Sequence, residues 1–146
     1  MKNKHLITGT VLALLVSSCS AANDPTTKPP EKPKPNSCSV IDNSDWVAWL
    51  NRMPGPDGPS LHLSGKIVLP TPGYTIKVKA GPLDKSNPPV QRLNLELTPP
   101  TGIVAQVVSS QEVKVQLPAL ASSYGAVIVS CGDKTLATIT DVQTVY

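Results

Sequence analysis

The chain of 146 residues has no phenylalanine, two tryptophans and three tyrosines, and its aromatic fraction is 3%. A nucleic-acid role would need stacking aromatics and a basic face. The five aromatics are few and no basic face is marked in the domain, where Cys38 to Tyr146 carry as many acidic as basic residues. The net charge of +3 therefore belongs to the residues before Cys38. Histidine is almost as scarce, and beyond the N-terminal segment only His62 remains. A His-based catalytic triad or a multi-histidine metal site would have one imidazole to use. No G-x-S-x-G elbow, S-x-x-K, P-loop, dinucleotide fingerprint or EF-hand loop occurs. Glu96 and Glu112 are the only strand carboxylates available for glycosidase-type chemistry, and both fall at solvent-facing positions. The expectation is a protein that is not an enzyme, with no catalytic residues, metal or cofactor. A hydrolase is the weakest alternative.

Long hydrophobic runs are also missing. Leu6 to Val16 is apolar apart from Thr8, Gly9 and Thr10. That is too short for a bilayer-spanning helix of about 20 residues, but it suits the h-region of a secretory signal behind Lys2 and Lys4. The run ends in Val16-Ser17-Ser18-Cys19. This sequence resembles the lipobox of bacterial lipoprotein signal peptides, with Val16 where leucine is commonest and Leu15 one residue earlier. The resemblance covers the first nineteen residues alone. It implies cleavage before Cys19, acylation of that cysteine and anchorage in a membrane. Ser20, in place of an acidic residue, implies export to the outer membrane, facing either the periplasm or the exterior. The alternative is an ordinary signal cleaved near Ala21 or Ala22.

Proline, by contrast, is abundant at 16 residues. An interior proline costs a helix about 3 kcal/mol, so a helical bundle or long coiled coil is excluded. Five prolines interleave with Lys28, Lys32 and Lys34 between Ser20 and Ser37, where no apolar side chain exceeds alanine. This segment reads as a polyproline-II tether reaching roughly 50 Å. Residues 1–18 are thus assigned to a signal peptide, 19–37 to the lipidated cysteine and tether, and 38–146 to one domain. With Cys19 acylated, Cys38 and Cys131 are left to pair in an oxidising compartment. Their bond would close a loop of about 93 residues, for which the chain-entropy model gives roughly 4 to 5 kcal/mol.

Within the domain, apolar residues recur with period two at Leu61–Leu69, Tyr74–Val78, Leu93–Leu97 and Val113–Leu117. Ala126–Val129 and Leu136–Thr140 flank Gly132-Asp133, a hairpin turn. Short alternating strands broken by proline clusters predict a mainly β, antiparallel, immunoglobulin-like β-sandwich. One short N-terminal helix is also expected. Trp46, Trp49, Leu50 and Met53 fall at helical spacing in residues 42–53, Ser44 is placed to cap, and Pro54-Gly55 stops the run. Its tryptophan stripe is expected to cover an open end of the sandwich.

Two proline-bearing loops form the candidate binding surface, represented by Pro56 and Asp57 and by Pro70, Thr71, Pro72, Gly73 and Tyr74. Rigid turns lose little entropy on binding. The expected partners are the membrane, through Cys19, and another envelope protein. Leu69-Pro-Thr-Pro-Gly-Tyr74 also resembles the N-P-T-T-G-Y loop of chagasin-like cysteine-protease inhibitors, over six residues. Leu69 and Pro72 depart from that pattern, and the family's glycine-rich second loop and R-P-W third loop are not found. The resemblance implies, as the alternative function, inhibition of papain-type proteases by residues 70–74.

Overall fold

Period-two patterning dictates most of the architecture. The computed structural model describes residues 38–146; the signal peptide, Cys19 and the tether lie outside the described residues. The strands are β1 (Asp42–Asn51), β2 (Ser60–Leu69), β3 (Thr75–Leu83), β4 (Val90–Thr98), β5 (Ser109–Pro118), β6 (Ala126–Cys131), β7 (Lys134–Ile139) and β8 (Val142–Val145). They form two four-stranded sheets, in the orders β5-β2-β1-β8 and β3-β4-β6-β7. Odd-numbered side chains of β2 and β4 turn inward, as the alternation requires. Leu63, Ile67 and Leu69 from the first sheet and Leu93, Leu95, Val127 and Val129 from the second are all within 2% of full burial in one core. The result is a mainly β, sandwich-like fold.

The helix expected at residues 42–53 is a strand. β1 pairs antiparallel with β2 along its length, and among the described residues no helix occurs. The misleading stripe arises because β1 carries apolar side chains on both of its faces, with Trp46 and Leu50 coreward and Trp49 outward, and these follow a β-bulge. Ser44 stands opposite Lys66 and Val47 opposite Ser64, so Asp45 and Trp46 together face Gly65. Asp45 takes up the extra residue with φ of 56°, a left-handed conformation unusual for a side-chain-bearing residue. The bulge flips the strand's parity. Asn43 points coreward before it, and Trp46, Ala48 and Leu50 point coreward after it, while Trp49 turns to the outer face. The two tryptophans therefore lie on opposite faces of the sheet and do not cover an end of the sandwich.

Two pairings are parallel, β1 with β8 and β4 with β6, so both sheets are mixed rather than purely antiparallel. A four-residue β8 without period-two apolar content carried no strand signal, yet its pairing with Ala48–Asn51 completes the edge of the first sheet. The Gly132-Asp133 turn joins β6 to β7 as expected, with Gly132 at φ of 57°. Cys38 and Cys131 are disulfide-bonded, with 5.3 Å between their Cα atoms across a separation of 93 residues. The bond fixes the beginning of the domain to the end of β6.

β3 is an edge strand, and its composition suits that place. Lys77 and Lys79 face solvent, and Pro82 lies where a bulge interrupts pairing with β4. Gln91, 1% exposed among apolar neighbours, donates from Nε2 to the carbonyls of Gly81 at 2.8 Å and Arg92 at 2.9 Å. A buried amide is thereby satisfied by the backbone that the bulge frees.

Candidate interaction surface

β2 connects the two loops singled out in the sequence, and it also separates them. Ten residues of strand span roughly 33 Å. Pro56 and Asp57 lie in the β1–β2 connection before Ser60, and Pro70 to Tyr74 follow Leu69 at the other end of the strand. The structure does not bring them into one surface.

The end that holds Pro70–Tyr74 is also the Cys38 end. The chain passes from β4 to β5 there, and β6 passes to β7. Thr71 is buried at 8% exposure, leaving Pro72 and Gly73 as the presented tip. Gly73 has φ of 87°, and a Cβ there would stand 3.4 Å from Pro100, so glycine suits both the turn and the neighbouring loop. Tyr74 is half-buried, and its carbonyl accepts from Gln111 Nε2 at 3.3 Å.

Around Pro56 and Asp57, at the opposite end, a different set of residues converges. The Arg52 backbone N–H donates to the Val145 carbonyl at 2.8 Å, and its guanidinium lies 5.7 Å from the centre of the Tyr146 ring. Arg52, Pro59 and Ala119–Ser122 line a shallow hollow of about 270 Å³. Asp57, Ser60, Gln116, Leu117 and Pro118 line a second, of about 330 Å³. Met53, Leu120 and Tyr146 are each more than half exposed here. The β5–β6 connection is held in shape by buried Tyr124, whose hydroxyl accepts from the N–H groups of Leu120 at 2.8 Å and Ala121 at 3.2 Å. Asp84 organises the adjacent β3–β4 connection. Its Oδ1 accepts from the Ser86 hydroxyl and from the Ser86 and Val90 N–H groups. The Ser86 hydroxyl first, then the Val90 N–H, hold its carboxyl below the ordinary range. Sequence reasoning found Pro56 and Asp57 but missed Arg52, Leu120 and Tyr146, because the parallel β1–β8 pairing brings Tyr146, and the β2–β5 pairing brings Leu120, beside the β1–β2 connection that holds Arg52.

Elsewhere the titratable groups are dispersed. His62 lies on the outer face of the first sheet, where its ring stacks on Trp49 at 5.0 Å and 10°, and its Nε2 is 3.0 Å from the Ser60 hydroxyl. This is a cross-strand aromatic pair. Glu96 bonds Lys79 at 2.7 Å on the outer face of one sheet, and Glu112 bonds Lys114 at 2.9 Å on the outer face of the other. The two carboxylates face away from each other across the sandwich. Among the described residues no three His, Cys, Asp or Glu side chains converge as metal ligands. Comparison with protein-family models, with curated proteins and with solved structures finds no match to this chain.

Proposed function

We propose that the protein is a lipid-anchored, non-enzymatic binding module of a bacterial outer membrane, tethered through Cys19 and engaging another envelope protein. Its contact surface in this reading is the end of the sandwich opposite Cys38. The observation that carries it is the convergence of exposed Met53, Leu120 and Tyr146 around Arg52, beside two shallow hollows. Exposed apolar and aromatic side chains with an arginine among them are the composition of interface anchors. A tether joined at Cys38 would leave that end free to meet a partner. The inhibitor reading is less favoured, since buried Thr71 leaves only Pro72 and Gly73 to enter a protease cleft.

The sandwich itself is proposed as a variant of the immunoglobulin type. Three features support this: β1, β2 and β5 are adjacent in that order, β6 and β7 form a hairpin, and Tyr124 binds backbone N–H groups just upstream, as a tyrosine corner does. The variation lies in β4, which sits between β3 and β6 and runs parallel to β6.

A photoreactive residue placed at Leu120 or Met53 in the native protein in cells tests the surface. One discrete protein adduct, lost when Arg52 and Tyr146 are both replaced by alanine, is the expected result. Adducts formed from Pro72 but from neither Leu120 nor Met53 would move the surface to the other end.

A further inference from the structure

We propose that the connection between β4 and β5, residues 99–108, rests on a phospholipid surface at the end of the domain where the tether joins. This rests on the lipid-anchor reading above, which supplies the membrane. Ile103 is fully exposed at 105%, and Val107 and Val108 are 60% and 61% exposed. Isolated surface aliphatics are ordinary. Three on one ten-residue connection that belongs to no strand form a group that water solvates poorly.

Strand directions place this group. β4 and β6 run parallel, with Asn94 opposite Ser130, so Thr98 and Cys131 lie toward the same end. Cys131 holds Cys38, the residue at which the tether joins the domain. Ile41, 55% exposed, lies at that end too, with its N–H on the Val68 carbonyl.

Charge distribution favours lipid over a polar partner. No charged residue occurs between Glu96 and Glu112, or between Lys66 and Lys77 in the neighbouring β2–β3 loop. At this end the β6–β7 turn alone among the three connections brings charge, from Asp133 and Lys134. The opposite end carries Arg52, Asp57, Asp84, Lys85 and Asp141 in its connections. The β2–β3 and β4–β5 connections at the tether end are thus uncharged, and charge at that end is confined to Asp42, Asp133 and Lys134. On the lipid-anchor reading, a tether of this length would hold the loop at high effective concentration near the lipid. Inserted aliphatic side chains would add to the anchorage that the acyl chains supply.

The test uses the full-length protein in phosphatidylethanolamine and phosphatidylglycerol vesicles that contain a phospholipid with a photoreactive acyl chain. Crosslinked peptides are located by mass spectrometry. Adducts concentrated on residues 103–108 are expected. In Ile103→Asn/Val107→Asn, with Ile103→Ser alone as a milder variant, they should fall by on the order of tenfold or more, as for taking two aliphatic side chains out of an apolar phase. Both variants alter exposed positions, and an unchanged thermal midpoint confirms that they fold. A wild-type protein with no loop adducts, or adducts undiminished in both variants, overturns the proposal. The intact mass of the same sample separates the two readings. Acylated Cys19 without loop adducts ends only the loop contact, and loop adducts on an unacylated chain end only the anchor.

Discussion

The Trp46 side chain occupies the space where a side chain at Gly65 would begin: a Cβ on Gly65 would stand 2.5 Å from Trp46 Cδ2. The bulge at Asp45 swings the indole over β2, its Nε1 donates to Asn43 Oδ1 at 2.7 Å, and glycine directly opposite leaves room for it. Gly65→Ala is therefore expected to destabilise by about 1–3 kcal/mol, the range for overpacking. In Trp46→Ala the added methyl costs far less, so a double-mutant cycle by denaturant unfolding should show coupling. Additive losses would separate the two residues.

Tyr124 gives a second stability prediction. Removing its hydroxyl in Tyr124→Phe leaves the Leu120 and Ala121 N–H groups without their acceptor. A loss of about 1–2 kcal/mol is expected by urea unfolding. Amide exchange should quicken at Leu120 and Ala121 before it does in β4 or β6.

Two exposed carboxylates set the acid side of the stability profile. Hydrogen bonding and attraction from Lys66 hold Asp45 below its ordinary range, and the Ser86 hydroxyl does so first for Asp84. A carboxyl whose folded-state pKa is depressed stabilises the fold above the unfolded value, about 3.9, and loses that contribution as pH falls through the lower folded value. The thermal midpoint should therefore drop below about pH 4, and less steeply in Asp84→Asn. Salt should weaken the Asp45 contribution, an exposed ion pair 3.0 Å long, more than that of Asp84, which is held by neutral donors. Circular dichroism melts across pH at low and high salt measure both.

The Cys38–Cys131 bond closes nearly the whole domain. Reducing it, or replacing both residues with alanine, is expected to remove about 2–5 kcal/mol from unfolding stability. Guanidinium unfolding with and without reductant reads the difference directly. Equal midpoints would show that the bond does not stabilise the fold.

What could be read from the residues follows from which interactions are local. Leu61 to Leu69 and Leu93 to Leu97 alternate because each strand has one buried face, so their placement needed no knowledge of neighbours. The two cysteines left once Cys19 is assigned to lipid pointed to the bridge, which the structure contains. β1 reads as a helix because Trp46 to Leu50 put apolar side chains on both faces of the strand, and its bulge lies opposite Gly65, which is 19 residues beyond Trp46 in the partner strand. β8 and the parallel β4–β6 pairing are non-local, with no periodic signal of their own. The candidate surface was half legible for the same reason. Proline turns marked Pro56 and Pro70, but only the ten residues of β2 reveal that these turns lie at opposite ends. The convergence of Arg52, Leu120 and Tyr146 depends on three separate segments meeting.

The most direct test of lipid anchorage is the intact mass of the protein extracted from bacterial membranes, compared with a Cys19→Ala chain. A mature protein that begins at Cys19 and carries acyl chains, with the modification abolished by the substitution, is the predicted result. An unmodified chain beginning at Ala21 or later would contradict it.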